Sequence, residues 1–400
     1  MGDYTKIPSA AKVKPTPFTV NVPEEKLQQM VQLIKLSPIG PSSYENQDTS
    51  REFGVSKDWL AKAKDHWATD FDWRAHEKRI NSYPNYHVEV TDDDGISKWN
   101  MHFIALFSNN ENAIPIGFFH GWPGSVLEFL DMLDLIKNKY TPDTLPYHII
   151  VPSLPGYAFS SGPPLTKDAN RIDMSRVCQK VMHALGFEKG YLAQGGDLGS
   201  FVSRQAAQDD DACKGFHLNM TNAPPPSDAD KLPVEEIEKR GLEKGRKWID
   251  SGTAYAQEHG TRTSTVGLVL SSSPIAMLAW IGEKFLEWSD EDPPLDRILE
   301  SVSLYWLTDT FPRCIYPYRS LFGPNRLAMT KASEPKTPNT KPMGFSWFPG
   351  ELIPSPISWI AKTGNLVHYN RHSSGGHFAA MEKPAELFAD VEEWVKIAWK

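Results

Sequence analysis

The chain has 400 residues, 40% hydrophobic and 23% charged, an ordinary balance for a water-soluble globular protein. Its net charge of −8 and the lack of a long basic run exclude nucleic acid and anionic membrane surfaces as main partners and leave small molecules. The length passes the ~250–300 residues at which one core stops growing, so a large domain with an insertion, or two domains, is expected.

Cys178, Cys213 and Cys314 are an odd, widely spaced set with no Cys-x-x-Cys pair, so neither a disulfide framework nor a zinc site is indicated. A reducing compartment is the default. Met1 to Thr19 holds no apolar segment long enough for a signal peptide, and no stretch nears the ~18 apolar residues of a membrane helix. The expectation is a soluble, cytoplasmic protein.

Residues 1–85 read as an N-terminal helical meander wrapping the outside of the core. Pro23 to Ile34 is amphipathic, Lys57 to Trp67 has apolar residues at helical spacing, and Trp73 to Asn81 adds a third helix; no strand signal precedes Tyr86. Residues 86–226 open the core. Tyr86–Val90 and Trp99–Phe107 form a hairpin across the turn Asp92-Asp93-Asp94-Gly95. Then come strand Ile114–Phe119, a helix near Leu127 to Lys137, strand Tyr147–Val151, a helix near Asp173 to Leu185, strand Gly190–Gln194, helix Ser200–Gln208 and strand Gly215–Met220. Apolar strands alternating with helices predict an α/β class with a mostly parallel, buried sheet.

Ala223-Pro224-Pro225-Pro226 marks a boundary, and residues 227–332 read as a helical cap with runs at Val234–Trp248, Gly252–Glu258, Ser273–Trp288 and Leu295–Thr308. Residues 333–400 complete the core. After a proline-rich loop, Glu334 to Pro342, the strands Gly344–Phe348 and Leu366–Tyr369 lead to a final helix, Lys383–Trp399.

Gly195-Gly196-Asp197-Leu198-Gly199, between a strand and a helix, reads as a nucleophile elbow with an aspartate at its apex. Gly195 and Gly199 supply the small neighbours that such a turn demands. In this architecture the orienting acid and the histidine base follow the nucleophile on loops after late strands. Glu351, in Phe348-Pro349-Gly350-Glu351, and His377, in Ser373-Ser374-Gly375-Gly376-His377-Phe378, occur in that order; His372 is the competitor for His377. The loop His120-Gly121-Trp122-Pro123-Gly124-Ser125 follows a strand directly. It offers the N–H of Trp122 to an oxyanion hole, together with the N–H of Leu198.

These residues resemble the soluble fungal, Aspergillus-type members of the microsomal epoxide hydrolase family. The resemblance spans nearly the whole chain, from the meander through the His120–Ser125 loop, the elbow and the cap to Thr363-Gly364-Asn365-Leu366-Val367 and Gly376-His377-Phe378. It implies an α/β-hydrolase fold and an enzyme that adds water to a small hydrophobic oxirane, giving a vicinal diol without metal or organic cofactor. It further implies Asp197 as nucleophile, His377 as base, Glu351 as orienting acid, and two cap tyrosines as donors to the ring oxygen. Tyr255 and Tyr318 sit where those tyrosines would, with Tyr316 a near competitor for Tyr318. Relatives anchored in membranes carry an N-terminal hydrophobic helix that this chain lacks.

Two other readings stand beside this one. A haloalkane dehalogenase-like enzyme shares the Asp, acid and His but needs N–H donors for halide, one of which Trp122 could provide. A catalytically inactive α/β-hydrolase used for ligand binding is the other. An exposed apolar cap surface would point to a homodimer.

Overall fold

The computed structural model describes residues 2–324 and 339–400. The expected boundary between cap and second core segment, at 332/333, lies outside the described residues, as does most of the proline-rich loop.

Among the described residues nine strands form one sheet in the order β1-β2-β3-β5-β4-β6-β7-β8-β9. β2 (Asn85–Thr91) and β3 (Lys98–Leu106) make the expected hairpin, and β3 pairs antiparallel with β5 (Tyr147–Pro152). From β5 onward the pairings with β4 (Ile114–Phe119), β6 (Tyr191–Gly195), β7 (Cys213–Leu218), β8 (Pro342–Trp347) and β9 (Asn365–Arg371) are all parallel. β5 and β6 are buried along their whole length, as continuous apolar strands covered on both faces must be. Helices Arg171–Ala184 and Asp197–Asp209 pack together on the sheet, while Pro384–Ala398 packs with Leu130–Lys139 and against β8 and β9.

One strand was not anticipated. β1 (Thr16–Phe18) joins the sheet edge antiparallel to β2. It has only three residues, with Pro17 at its centre, and such a segment is tolerated only at an edge and carries no alternation to read.

Between β7 and β8 the chain leaves the sheet for the helices Glu236–Ser251, Ala254–Thr261, Thr263–Leu270, Pro274–Trp288 and Leu295–Leu307. Thr263–Leu270 was missed in the sequence because its β-branched residues and Gly267 are weak helix formers. Two helices of the N-terminal segment reach the helices inserted between β7 and β8: Glu24–Leu36 and Lys57–Thr69 pack against Pro274–Trp288, and Glu24–Leu36 also meets Leu295–Leu307. The buried Trp67 indole donates to Ser303 Oγ at 3.0 Å, and Lys26 pairs with Asp309 at 2.8 Å. Among the described residues no single helix is long and apolar enough to cross a membrane.

Candidate active site

The chain runs from β4 to β5 on one side and then to β6 on the other, so β4 and β6 are neighbours whose following loops diverge to opposite faces. Ligand sites of open α/β sheets lie at such switch points, beyond the carboxyl ends of the strands. Here the loop after β4 carries Trp122 and the turn after β6 carries Asp197. Asp197 sits at φ 46°, a left-handed conformation that costs a non-glycine residue of order 1–3 kcal/mol and is retained at functional turns. The turn is tight enough that a Cβ on Gly195 would lie 2.2 Å from the Gly199 carbonyl oxygen, and one on Gly199 would lie 1.9 Å from the Phe119 carbonyl oxygen at the end of β4.

Asp197 presents its two oxygens to different partners. Oδ1 accepts from the Trp122 N–H at 2.8 Å, and Oδ2 lies 3.4 Å from His377 Nε2. His377 Nδ1 is 2.7 Å from Glu351 Oε1, which also accepts from the Leu352 N–H at 2.6 Å. The loops bearing acid and base are tied by a parallel bridge, with Gly350 N–H donating to the Gly375 carbonyl at 2.8 Å. A third anchor comes from the cap: the His377 N–H donates to the Trp288 carbonyl at 2.9 Å. Burial disfavours a charged His377, but Glu351 and Asp197 outweigh it and hold the imidazole well above its usual pKa.

His120 is neutral and structural. Its Nε2 accepts from the Leu154 N–H at 3.1 Å and Nδ1 faces the Gly121 carbonyl at 3.1 Å, while burial lowers its pKa to about 4. It pins the loop that offers the Trp122 amide. Leu198 follows Asp197 in the first turn of the helix Asp197–Asp209, and Oδ1 of the free carboxylate accepts from the Trp122 N–H. An oxyanion-hole donor aims at where the charge of the tetrahedral intermediate develops, not at the ground-state oxygen.

The cap closes over this pair with aromatic rings. Tyr255 stacks on Trp122 at 5.0 Å and 12°, and Tyr318 meets Trp122 at 6.1 Å and Tyr255 at 5.8 Å. Burial first, with Asp197 contributing, raises both phenols above their usual pKa. Tyr316 faces elsewhere and donates to the Pro155 carbonyl at 3.3 Å. Tyr316 and Tyr318 share a 3₁₀ turn, where residues two apart point to different sides. His372 is likewise occupied: its Nε2 lies 2.7 Å from the buried Asp390 and its ring stacks on Phe348.

Three residues at the site carried no sequence signal as functional. Trp288, at the end of its cap helix, lies 5.1 Å from the His377 ring and 5.2 Å from Tyr255. His259, whose Nε2 accepts from the Trp280 indole at 3.0 Å, packs edge-on to Trp122, Tyr255 and Tyr318. Glu128 lines a small space beside Asp197 and His377. Each reads in sequence as an ordinary helix residue. The three cysteines are free and buried, and among the described residues no group of three or more His, Cys, Asp or Glu is arranged to hold a metal ion.

Sheet order, elbow and late acid and base define an α/β-hydrolase, and residues 114–239 match the family described as the alpha/beta hydrolase fold. Residues 15–129 match the description "Epoxide hydrolase N terminus". The chain is 50% identical to a provisionally named epoxide hydrolase of Dothistroma septosporum, over 100% of this chain and 94% of that one. It is 35% identical to another so named from Stigmatella aurantiaca, over 94% and 83%. The solved structure of Aspergillus niger epoxide hydrolase superposes with a TM-score of 0.91 at 47% identity, covering 99% of this chain and 100% of that one. This chain belongs to the epoxide hydrolase family, as the resemblance in its motifs implied.

Proposed function

We propose that this protein hydrolyses a small hydrophobic epoxide to a vicinal diol through an ester on Asp197. The observation that carries the reading is one carboxylate with an oxygen on an amide at 2.8 Å and the other 3.4 Å from a glutamate-oriented imidazole, beneath two buried phenols. Asp197 Oδ2 attacks a ring carbon, the carbon–oxygen bond breaks, and a phenol of Tyr255 or Tyr318 gives its proton to the alkoxide. Esterification removes one of the two carboxylates that keep His377 protonated, so the imidazolium passes its proton to the tyrosinate left by ring opening, restoring the phenol, and the neutral ring can act as a base. Water then attacks the ester Cγ and gives a proton to His377 Nε2, while Glu351 supports the imidazolium. The Trp122 amide holds the oxyanion, with the Leu198 N–H as the second donor. Collapse releases the diol oxygen with the imidazolium proton, and the second proton of water returns His377 to its protonated resting form beside the restored Asp197 carboxylate.

A groove of about 340 Å³ between the meander and the cap reaches Tyr255 and supports entry of substrate from that side. The indole Nε1 atoms of Trp122 and Trp288 are buried without a partner, which favours the dehalogenase as the second reading, since a halide needs such donors. A departing halide needs no proton, however, and two buried phenols over the carboxylate would then have no task. A single turnover in heavy-oxygen water tests the main reading: label is expected in the Asp197 carboxylate, and label in the diol alone would refute the ester.

The cap is also read as a homodimer contact, because helix Thr263–Leu270 leaves Leu268 and Val269 70% and 55% exposed. Light scattering should report a dimer that Leu268→Lys with Val269→Glu converts to a monomer; a monomeric unmodified chain would end the reading.

A further inference from the structure

Asp197 and His377 bound a much smaller space than that groove, and its walls include neither cap tyrosine. Glu128 and Asn219 join them in its polar lining, beside His120, whose two ring nitrogens are already engaged, and apolar walls such as Phe129 and Phe378. It offers about 10 Å³ to the centre of a water molecule. That is close to the ~10–15 Å³ one ordered water requires, and four polar groups meet its need for two to four partners.

The Oδ1 atom of Asn219 is already engaged, accepting from Gln194 Nε2 at 2.9 Å. Glu128 has no assigned task. It lies on the 3₁₀ helix Val126–Phe129, which Ser125 caps by accepting the Leu127 N–H at 3.2 Å. Its carboxyl folds back over Gly124: a Cβ at that glycine would lie 1.3 Å from Glu128 Oε1, so any side chain at 124 would expel it. The Gly124 carbonyl is fixed in turn by the Tyr305 hydroxyl of the cap at 2.9 Å. Among the described residues no side chain hydrogen-bonds the Glu128 carboxyl. Burial raises its pKa to about 8, with Asp197 and Glu382 adding to the rise and His377 opposing it. At neutral pH it therefore carries a proton and can both donate and accept a hydrogen bond.

We propose that this cavity is the station of the hydrolytic water and that Glu128 is the positioning residue holding that water opposite His377 Nε2. The inference rests on the two-step reading above. The water's oxygen bonds to the ester Cγ and one of its protons passes to His377, while Glu128 keeps a hydrogen bond to the water and makes or breaks no covalent bond. Ring opening needs no water and so does not involve Glu128.

The test uses the full chain with styrene oxide as probe and compares Glu128→Ala, the isosteric Glu128→Gln and Gly124→Ala. In a two-step sequence kcat/KM reports ring opening and kcat includes ester hydrolysis. Glu128→Ala should lower kcat and KM together by about tenfold or more, leave kcat/KM within about twofold, and accumulate an adduct of one substrate mass. Glu128→Gln should recover part of kcat, and Gly124→Ala, by displacing the carboxyl, should follow Glu128→Ala. A merely structural role would lower kcat/KM as well. Unchanged kcat, or an equal fall in kcat and kcat/KM with no adduct, overturns the inference. If Glu128→Ala does not fold, Glu128→Gln carries the same split between kcat and kcat/KM. His377→Gln separates the two levels: an adduct there but none in folded Glu128 variants removes Glu128's role alone, whereas no adduct there refutes the two-step reading itself.

Discussion

Replacing both cap phenols, Tyr255→Phe with Tyr318→Phe, deletes two hydroxyl groups and keeps both rings. The stack of Tyr255 on Trp122 and the edge contact of Tyr318 survive, so the fold should hold. Both side chains are buried, at 7% and 3% exposure, so bulk water cannot replace the lost donors. Removing one preorganised donor from a developing oxyanion costs about 2.7–4 kcal/mol, or about 10²–10³ in rate. Because both hydroxyls address one oxygen, each single variant should fall to the low end, about 10²-fold, and the pair should lose about 10⁴–10⁶-fold. Burial and Asp197 keep both phenols above their usual value, so ring opening should persist as pH rises toward about 10. The assay is kcat/KM for styrene oxide by diol release, with quenched single turnovers reporting ester formation. A double variant within about tenfold of the unmodified enzyme would refute the role of these donors.

His377→Gln should open one equivalent of epoxide and then stall, giving a stoichiometric burst of substrate loss and an adduct on the intact protein; absence of both in a folded variant would contradict the base role. The same residue makes a pH prediction. Its folded pKa is raised, so its contribution to stability is complete below the unfolded value of about 6.5 and is lost as pH rises through the folded one. Urea unfolding of the unmodified chain and His377→Gln should therefore show their largest difference below about pH 6.5 and a shrinking one above it. Trp67→Ala removes a fully buried indole and its bond to Ser303, and should cost about 3–5 kcal/mol by denaturant unfolding while loosening the cap. A loss under about 1 kcal/mol would show that the meander does not brace the cap.

The elbow was legible because its signal is local: the glycines flanking Asp197, where a Cβ would strike the Gly199 and Phe119 carbonyls, are written within five residues. Glu351 and His377 were legible through chain order, which the sheet topology dictates. The side-chain choice between Tyr316 and Tyr318 was not, because it depends on which side of a short 3₁₀ turn faces the carboxylate. β1 was hidden because its partner strand begins at Asn85, and three residues around a proline carry no periodicity. Glu128 and Trp288 became visible only once folding placed them beside Asp197 and His377, far from either in sequence.

The clasp between meander and cap has a consequence for biosynthesis. Trp67 finds its partner at Ser303, 236 residues later. At a synthesis rate of about 5–20 residues per second, roughly 12–50 s pass before that partner leaves the ribosome. Over that interval the apolar stripe of Leu27, Met30 and Ile34 lacks the cap helices Pro274–Trp288 and Leu295–Leu307 that Glu24–Leu36 packs against. The first helices to be made are thus among the last to be fully buried, and such long-range closure is slow and exposed to aggregation. A chaperone holding the nascent N-terminal segment until the cap arrives would raise the yield of native protein more than one acting on the finished chain.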